Sequence, residues 1–408
     1  MYTNAAALLT EAFGDLEVRP VPFPAALPGQ LILRNRAIAV NPLDLIKQTT
    51  GNVMYRWLPY PAVLGEDVAG EVVEVGAGVT RFVAGDRVMA YALGMEKGRD
   101  HLAEGGFQLY TAVDAALAAP LPDSLAFEDA VVLPLAVSTA ATALFQDDHL
   151  GLRPPTGPRV AGDPSGVEQS RADEARAYPS WVVVWGGSTS VGSNALQLAA
   201  AAGYRVATTG SLHNHDRLRD LGADIVVDRS SASAVRDLAA SLEGRHVAGI
   251  LAVGTGSGEA CVSLALLTGT GRVALTSPSV ALESLPRARG AHLLRARILL
   301  QLAARAAILQ VRARLHGVRA AFVWGSSLHH NAVGPMLWEQ FLPAALAAGT
   351  YTPAPAPRIL GEGLDHLQPA LDALREGVSA VKLVVTLPGA PGDPAGPGMT
   401  RRSGDLTT

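Results

Sequence analysis

The sequence of 408 residues contains one cysteine, Cys261. A single thiol excludes an internal disulfide framework and every zinc site that takes two or more thiolates from this chain, and it suits a reducing compartment. Lysine is nearly absent too: Lys47, Lys97 and Lys382 stand against thirty arginines, a bias that, with the alanine excess, reads as GC-rich coding DNA rather than function. No run approaches the roughly eighteen apolar residues of a membrane helix. The first residues, Met1 to Leu9, lack the basic start and long apolar core of a signal peptide, so the expected location is the cytosol. Acidic and basic residues nearly balance at a formal charge of −4. That balance offers no electrostatic footprint for nucleic acid or an anionic membrane, and both are set aside as partners.

What is present is apolar: 49% hydrophobic against 17% charged residues describes a globular chain, and its length predicts two or three domains. Up to about residue 130, short β-branched runs alternate with Gly and Pro, as in Leu31–Leu33, Ala69–Gly76 and Asp86–Ala90. Such runs predict a compact barrel-like β domain. From Ser138 onward helix and strand alternate: Ser138–Phe145, Trp181–Trp185, Ser190–Ala202, Arg205–Thr209, Asp216–Leu221 and Ile225–Val227. That spacing predicts a doubly wound parallel sheet, giving an α/β fold. Residues 153–178 read as an exposed insertion. The stretch 287–319 repeats Leu, Ala and Arg at helical spacing; it is either an extra amphipathic helix covering part of the sheet or a membrane-surface or partner element. The tail 389–408 carries no periodicity and is expected to be disordered. No internal repeats occur.

The strongest chemical signal is the segment Trp181–Leu198, in which a buried-type strand runs into Gly186, Gly187, Ser188, Thr189, Ser190, Val191 and Gly192 and directly on into a helix. Glycines permit a tight turn and close approach of backbone to a pyrophosphate, and the helix start offers unpaired N–H donors with a favourable dipole. The second strand should end in an acid if the ribose of NAD is bound. Ser211, His213 and Asn214 stand there instead, a set that receives a 2′-phosphate without charge repulsion, so NADP(H) is the expected cofactor. His213 alone reads equally well as a solvated loop residue.

These residues resemble the medium-chain dehydrogenase/reductase superfamily, and within it the zinc-independent quinone oxidoreductase and enoyl reductase branch that includes fungal trans-acting enoyl reductases. The likeness runs from about Leu8 to Leu387 and rests on Ala39–Asp44, Tyr60–Gly76, Gly85–Val88, Leu133–Leu144, the Gly-Gly-Ser-Thr-Ser-Val-Gly turn and the stretches 341–351 and 377–385. It implies a GroES-like β-rich catalytic domain from residues 1–137 and 346–388, with a Rossmann nucleotide domain, 138–345, inserted between. It also implies that Asn41 and Asp44 line the nicotinamide pocket and that the hydroxyl of Thr139 approaches the ring. Where zinc-dependent members carry a cysteine and a histidine, this chain has Asn41 and Glu66, followed by Asp67, so no metal is expected. The histidine pairs 213/215 and 329/330 lack helical ligand spacing and read as loop residues. Where the subgroup often places an aromatic residue near the adenosine stands Arg229, either a phosphate or adenine contact or a surface arginine.

The chemistry the resemblance implies is hydride transfer to the β-carbon of an activated alkene, an enone or enoyl thioester, with the enolate oxygen held by donors and a proton delivered to the α-carbon. Asn41 and Thr139 are expected at the cofactor. Tyr55, in a loop where some enoyl reductases carry a tyrosine, is the candidate acid. Trp338 and Phe341 line the substrate cleft or pack in the core. The rivals are an NADPH:quinone oxidoreductase and an inactive nucleotide-binding protein. Beyond a small-molecule substrate the chain is expected to act as a monomer or homodimer.

Overall fold

A computed structural model describes residues 3–155, 180–283, 285–287 and 290–389. The expected insertion at 153–178 and the expected disordered tail therefore fall almost wholly outside the described residues.

The β-rich part begins with β1 (Asn4–Leu9), β2 (Leu16–Val21), β3 (Gln30–Ala39), β4 (Ala62–Val63), β5 (Asp67–Val75), β6 (Arg87–Tyr91), β7 (Tyr110–Asp114) and β8 (Ala118–Pro120). The parallel part contributes β9 (Trp181–Trp185), β10 (Arg205–Gly210), β11 (Ile225–Asp228), β12 (Val247–Ala252), β13 (Arg272–Leu275) and β14 (Arg319–Phe322). The chain closes with β15 (Ala356–Glu362) and β16 (Val381–Thr386). Valine-rich β9 is buried along its whole length, as a strand covered on both faces must be.

Strands β9 to β14 form one six-stranded sheet in the order β11-β10-β9-β12-β13-β14, all pairs parallel. This is the doubly wound order of dinucleotide-binding sheets, and its switch point lies between β9 and β12. The β-rich sheet runs β15-β16-β3-β5-β6-β8 with β7 on β3. The last strand pairs antiparallel with β3, setting Val384 opposite Ala39. The expected fold class, a GroES-like β-rich domain with a Rossmann-type parallel sheet, is the observed one.

One core joins the two parts. The helix Pro134–Phe145 has every residue buried, and its cluster reaches from Ala37 and Ala69 of the β-rich sheet to Val182 and Val184 of the parallel sheet. It begins four residues before the expected Ser138, because Pro134 supplies a helix-compatible φ and needs no N–H partner in the first turn. It thus runs across the expected boundary at 137/138. Phe127–Phe145 is also the one helical stretch among the described residues long and apolar enough to cross a bilayer, and most of it lies inside the core. The stretch 287–319 forms a helix, His292–Leu315, with Leu309 and Ala313 buried against the parallel-sheet cluster.

Candidate active site

The glycine-rich turn is built by close backbone approach. Gly186 has φ +91°, and a Cβ on Gly187 or Gly192 would lie 2.3 Å from Thr208 Oγ1 or 2.2 Å from Gly186 O. Only hydrogen fits at these positions. Thr189 caps the helix Ser190–Ala201, its Oγ1 accepting from Gly192 N at 3.0 Å and donating to Gly186 O at 2.8 Å. The N–H groups of Ser188, Ser190 and Val191 have no protein acceptor among the described residues. Open donors at a helix start, beside a turn no Cβ can enter, fit an anionic pyrophosphate.

Gly187 N donates to Thr209 O at 3.0 Å, so the end of β10 lies against the turn. Ser211 follows, and Asn214 Nδ2 sits 3.2 Å from His213 Nε2. Arg229 N donates to Gly210 O at 3.1 Å, and its guanidinium extends toward Gly254 beyond β12. Ser211, His213, Asn214 and Arg229 thus share the carboxyl edge of the sheet, as the sequence predicts. The acid of that edge, Asp228, was not anticipated. Its carboxylate accepts from the N–H and hydroxyl of Ser230 at 2.8–3.0 Å, which holds its pKa below the usual carboxylate range.

The second half of the site is a buried polar cluster at the start of the β-rich sheet. Asn41 donates from Nδ2 to Asp67 Oδ2 at 2.8 Å and accepts from Lys382 Nζ; Lys382 also lies 2.8 Å from Asp67 Oδ2. The other Asp67 oxygen accepts from Leu135 N at 2.6 Å, placing a carboxylate on the N-terminus of the helix that carries Thr139. Thr139 itself is buried against the Gly325 backbone, where a Cβ would meet its hydroxyl at 2.4 Å. Asp44, expected at the cofactor, is fully buried. Its oxygens accept from Asn41 N at 2.7 Å and Gly65 N at 3.1 Å, so it braces the loop. Burial, with Asp67 nearby, raises its pKa to about 7.

Tyr55 stands over this cluster with φ +52°, its ring 5.5 Å from Trp57 and 6.1 Å from Trp324. Its backbone is fixed by Lys47, whose Nζ donates to Tyr55 O at 3.2 Å and Leu58 O at 2.7 Å. Tyr55 Oη and Glu66 Oε2 are both buried without a hydrogen-bond partner among the described residues. Burial and the surrounding carboxyls push both groups well above their ordinary pKa ranges, so the phenol stays neutral and Glu66 favours its protonated form. Paired orphaned atoms of this kind mark a place where a bound group supplies the missing partners.

Sequence reasoning missed a long-range contact beside this cluster. Glu96 accepts from Trp324 Nε1 at 2.9 and 3.0 Å and from Ser326 Oγ at 2.7 Å, joining the β-rich part to the segment after β14. A separation of 228 residues left no local signal. Trp338 and Phe341 are not cleft residues. Both are buried in the core, Trp338 Nε1 lying 3.3 Å from Ser138 Oγ and Phe341 packed edge-on to Tyr351. Trp324, with its indole N–H on Glu96 and its ring near Tyr55, is the tryptophan from the second half of the chain that reaches this cluster.

A parallel sheet with a turn suited to an anion at its switch point, and a β-rich domain that carries a buried polar cluster, match an oxidoreductase of alcohol dehydrogenase architecture. Residues 27–123 match the alcohol dehydrogenase GroES-like domain family. Dehydrogenase pigH of Monascus ruber is 42% identical over 373 residues, 91% of this chain and 96% of that one. Trans-enoyl reductase himH of Aspergillus japonicus is 35% identical over 378 residues, 91% and 94% of the two chains. Among solved structures, mycobacterial Rv1454c complexed with NADPH matches the fold with a TM-score of 0.62 at 21% identity, covering 94% of this chain and 99% of that one. The chain belongs to the medium-chain dehydrogenase/reductase superfamily. It is an oxidoreductase, and a nicotinamide cofactor is the group that its turn and sheet suit.

Proposed function

We propose that the protein is an NADPH-dependent reductase of activated carbon–carbon double bonds, enones or enoyl thioesters, that works without a metal ion. The observation that supports this most directly is the environment of Asn41. In the zinc-dependent branch the equivalent positions supply a thiolate and an imidazole; here they are Asn41 and Glu66, and the Asn41 amide with the adjoining Asp67 holds the ammonium of Lys382, which repels a cation beside it.

When bound, the cofactor supplies hydride from its nicotinamide ring. The backbone donors of Ser188, Ser190 and Val191 would hold its pyrophosphate. Ser211, His213, Asn214 and Arg229 receive the 2′-phosphate, and the absence of an acid at Ser211 disfavours NAD. Lys382, Asn41 and Asp67 brace one another, and with Thr139 they would hold the nicotinamide end of the cofactor. Tyr55 Oη holds the proton destined for the α-carbon, with Glu66 behind it as a second protonated group. The division into residues 1–137 with 346–388 and residues 138–345 belongs to this reading, the helix Pro134–Phe145 being shared between the two. So does a reducing cytosolic setting, in which fully buried Cys261, its thiol pushed up by burial, stays unreactive.

The test is NADPH oxidation by purified protein, in chelator, with an enone or an enoyl thioester. Turnover is expected, at least about tenfold slower with NADH, and Tyr55→Phe is expected to lower kcat by roughly 10²-fold with little change in NADPH affinity. Turnover confined to quinones would replace this reading with a quinone reductase. Tight NADPH binding with no turnover on either class would leave a nucleotide-binding protein.

A further inference from the structure

The net charge of −4 conceals a local asymmetry: between Glu283 and Glu339 the sequence holds eight arginines and no carboxylate. Five of the eight lie on the helix His292–Leu315. Its inner face is accounted for by Leu309 and Ala313, and by Ile298, Leu299 and Leu302 packed on the β-rich core. The opposite face is not. Leu293, Leu300, Ile308, Val311 and Leu315 are 57–88% exposed, and with Ala304 their spacing keeps them on one side of the helix.

A surface helix ordinarily turns polar residues outward. This one presents an apolar ridge about 33 Å long, at about 1.5 Å per residue from Leu293 to Leu315. Arg297 and Arg314 lie along the ridge and form no ion pair with any described residue. The only carboxylate of the neighbouring helix Ser257–Thr268, Glu259, lines a small cleft with Arg305 and Arg312 instead. Screening confines electrostatic influence to about 8 Å at physiological salt, so this face acts through its own charge and not through that of the whole chain.

We propose that this helix is a docking surface for an anionic lipid bilayer. It lies in the plane of the surface, with the apolar ridge at the headgroup–acyl boundary and the arginines on lipid phosphates and carboxylates. Arginine suits the role because its stem packs with the ridge while its head reaches the interface. A second copy is a poor occupant: a two-fold contact sets the ridge on itself and brings basic helices together with no carboxylate on either. A protein partner needs a groove shaped to a convex ridge, whereas a fluid bilayer needs none. The expectation from net charge alone, that no membrane is a partner, is thereby set aside for this face.

The test is co-sedimentation of the purified full chain with vesicles of phosphatidylcholine alone or mixed with phosphatidylserine, at low and high salt. Binding is expected only to the phosphatidylserine vesicles, weakened by salt, and reduced at least about tenfold by Leu300→Glu and by Arg297→Glu combined with Arg314→Glu. Circular dichroism checks each variant; Ile308→Glu replaces any that fails to keep the wild-type spectrum. Absence of binding, equal binding to phosphatidylcholine alone, or wild-type binding by the variants overturns the proposal. A dimer in light scattering that Leu300→Glu dissolves overturns it in favour of self-association.

Discussion

Asp44, Glu66, Asp67 and Glu96 bring four carboxyl groups into each other's fields inside the pocket, and Lys382 offsets only part of their repulsion. A carboxyl whose pKa is raised by folding keeps its proton in the native state after the unfolded chain has released it. Its burial therefore costs nothing below the ordinary carboxylate range and costs increasingly more as pH rises above it. Glu66→Gln, which mimics the protonated form, is thus expected to match wild type near about pH 4 and to be the more stable protein near about pH 7. The gap opens by about 1.4 kcal/mol per pH unit until the native carboxyl ionises. Urea unfolding across that range checks this, and a constant gap counts against it. At this scale the sequence displayed Asn41, Glu66, Asp67 and Lys382 as residue types at motif positions. It did not display their bonding, since Asn41 and Lys382 are 341 residues apart.

Among the elements, the glycine turn and its flanking strands were the most legible, because valine runs and obligatory glycines are local signals. The contacts that make the glycines obligatory are not local: Gly187 lies against Thr208 of the next strand. Gly187→Ala is expected to destabilise the fold by roughly 1–3 kcal/mol through overpacking and to weaken NADPH binding at least about tenfold. Gly271→Ala, where the nearest atom to an added Cβ is 4.0 Å away, is the neutral control. Thermal melts and fluorescence titration of both variants make the measurement. The helix His292–Leu315 was legible as a helix but not in orientation. Apolar residues occur all around it, so periodicity could not say which of them the core would leave uncovered.

For the whole molecule, the β-rich part is tied to the segment after β14 by a few bonds between distant residues. Glu96 holds Trp324 and Ser326, Asp114 pairs with His329 at 3.1 Å, and Arg81 donates to Trp338 O at 3.2 Å. Trp324→Phe removes one hydrogen bond to a charged group, an effect of about 1.5–3 kcal/mol. Amide exchange at residues 94–99 and 323–330 is expected to rise together by roughly 10-fold or more while β9 and β12 keep their protection. Uniform acceleration across the chain would instead mean general destabilisation. The pairing of β16 with β3 has a consequence for synthesis. At roughly 5–20 residues per second, some tens of seconds separate the emergence of Asn41 from that of Lys382. By the end of that interval the nascent chain contains β1 to β15 and the phosphate turn, yet Asp67 waits without its ammonium. Assembly of the buried polar cluster therefore waits on the emergence of β16, long after Asn41 and Asp67 have been translated.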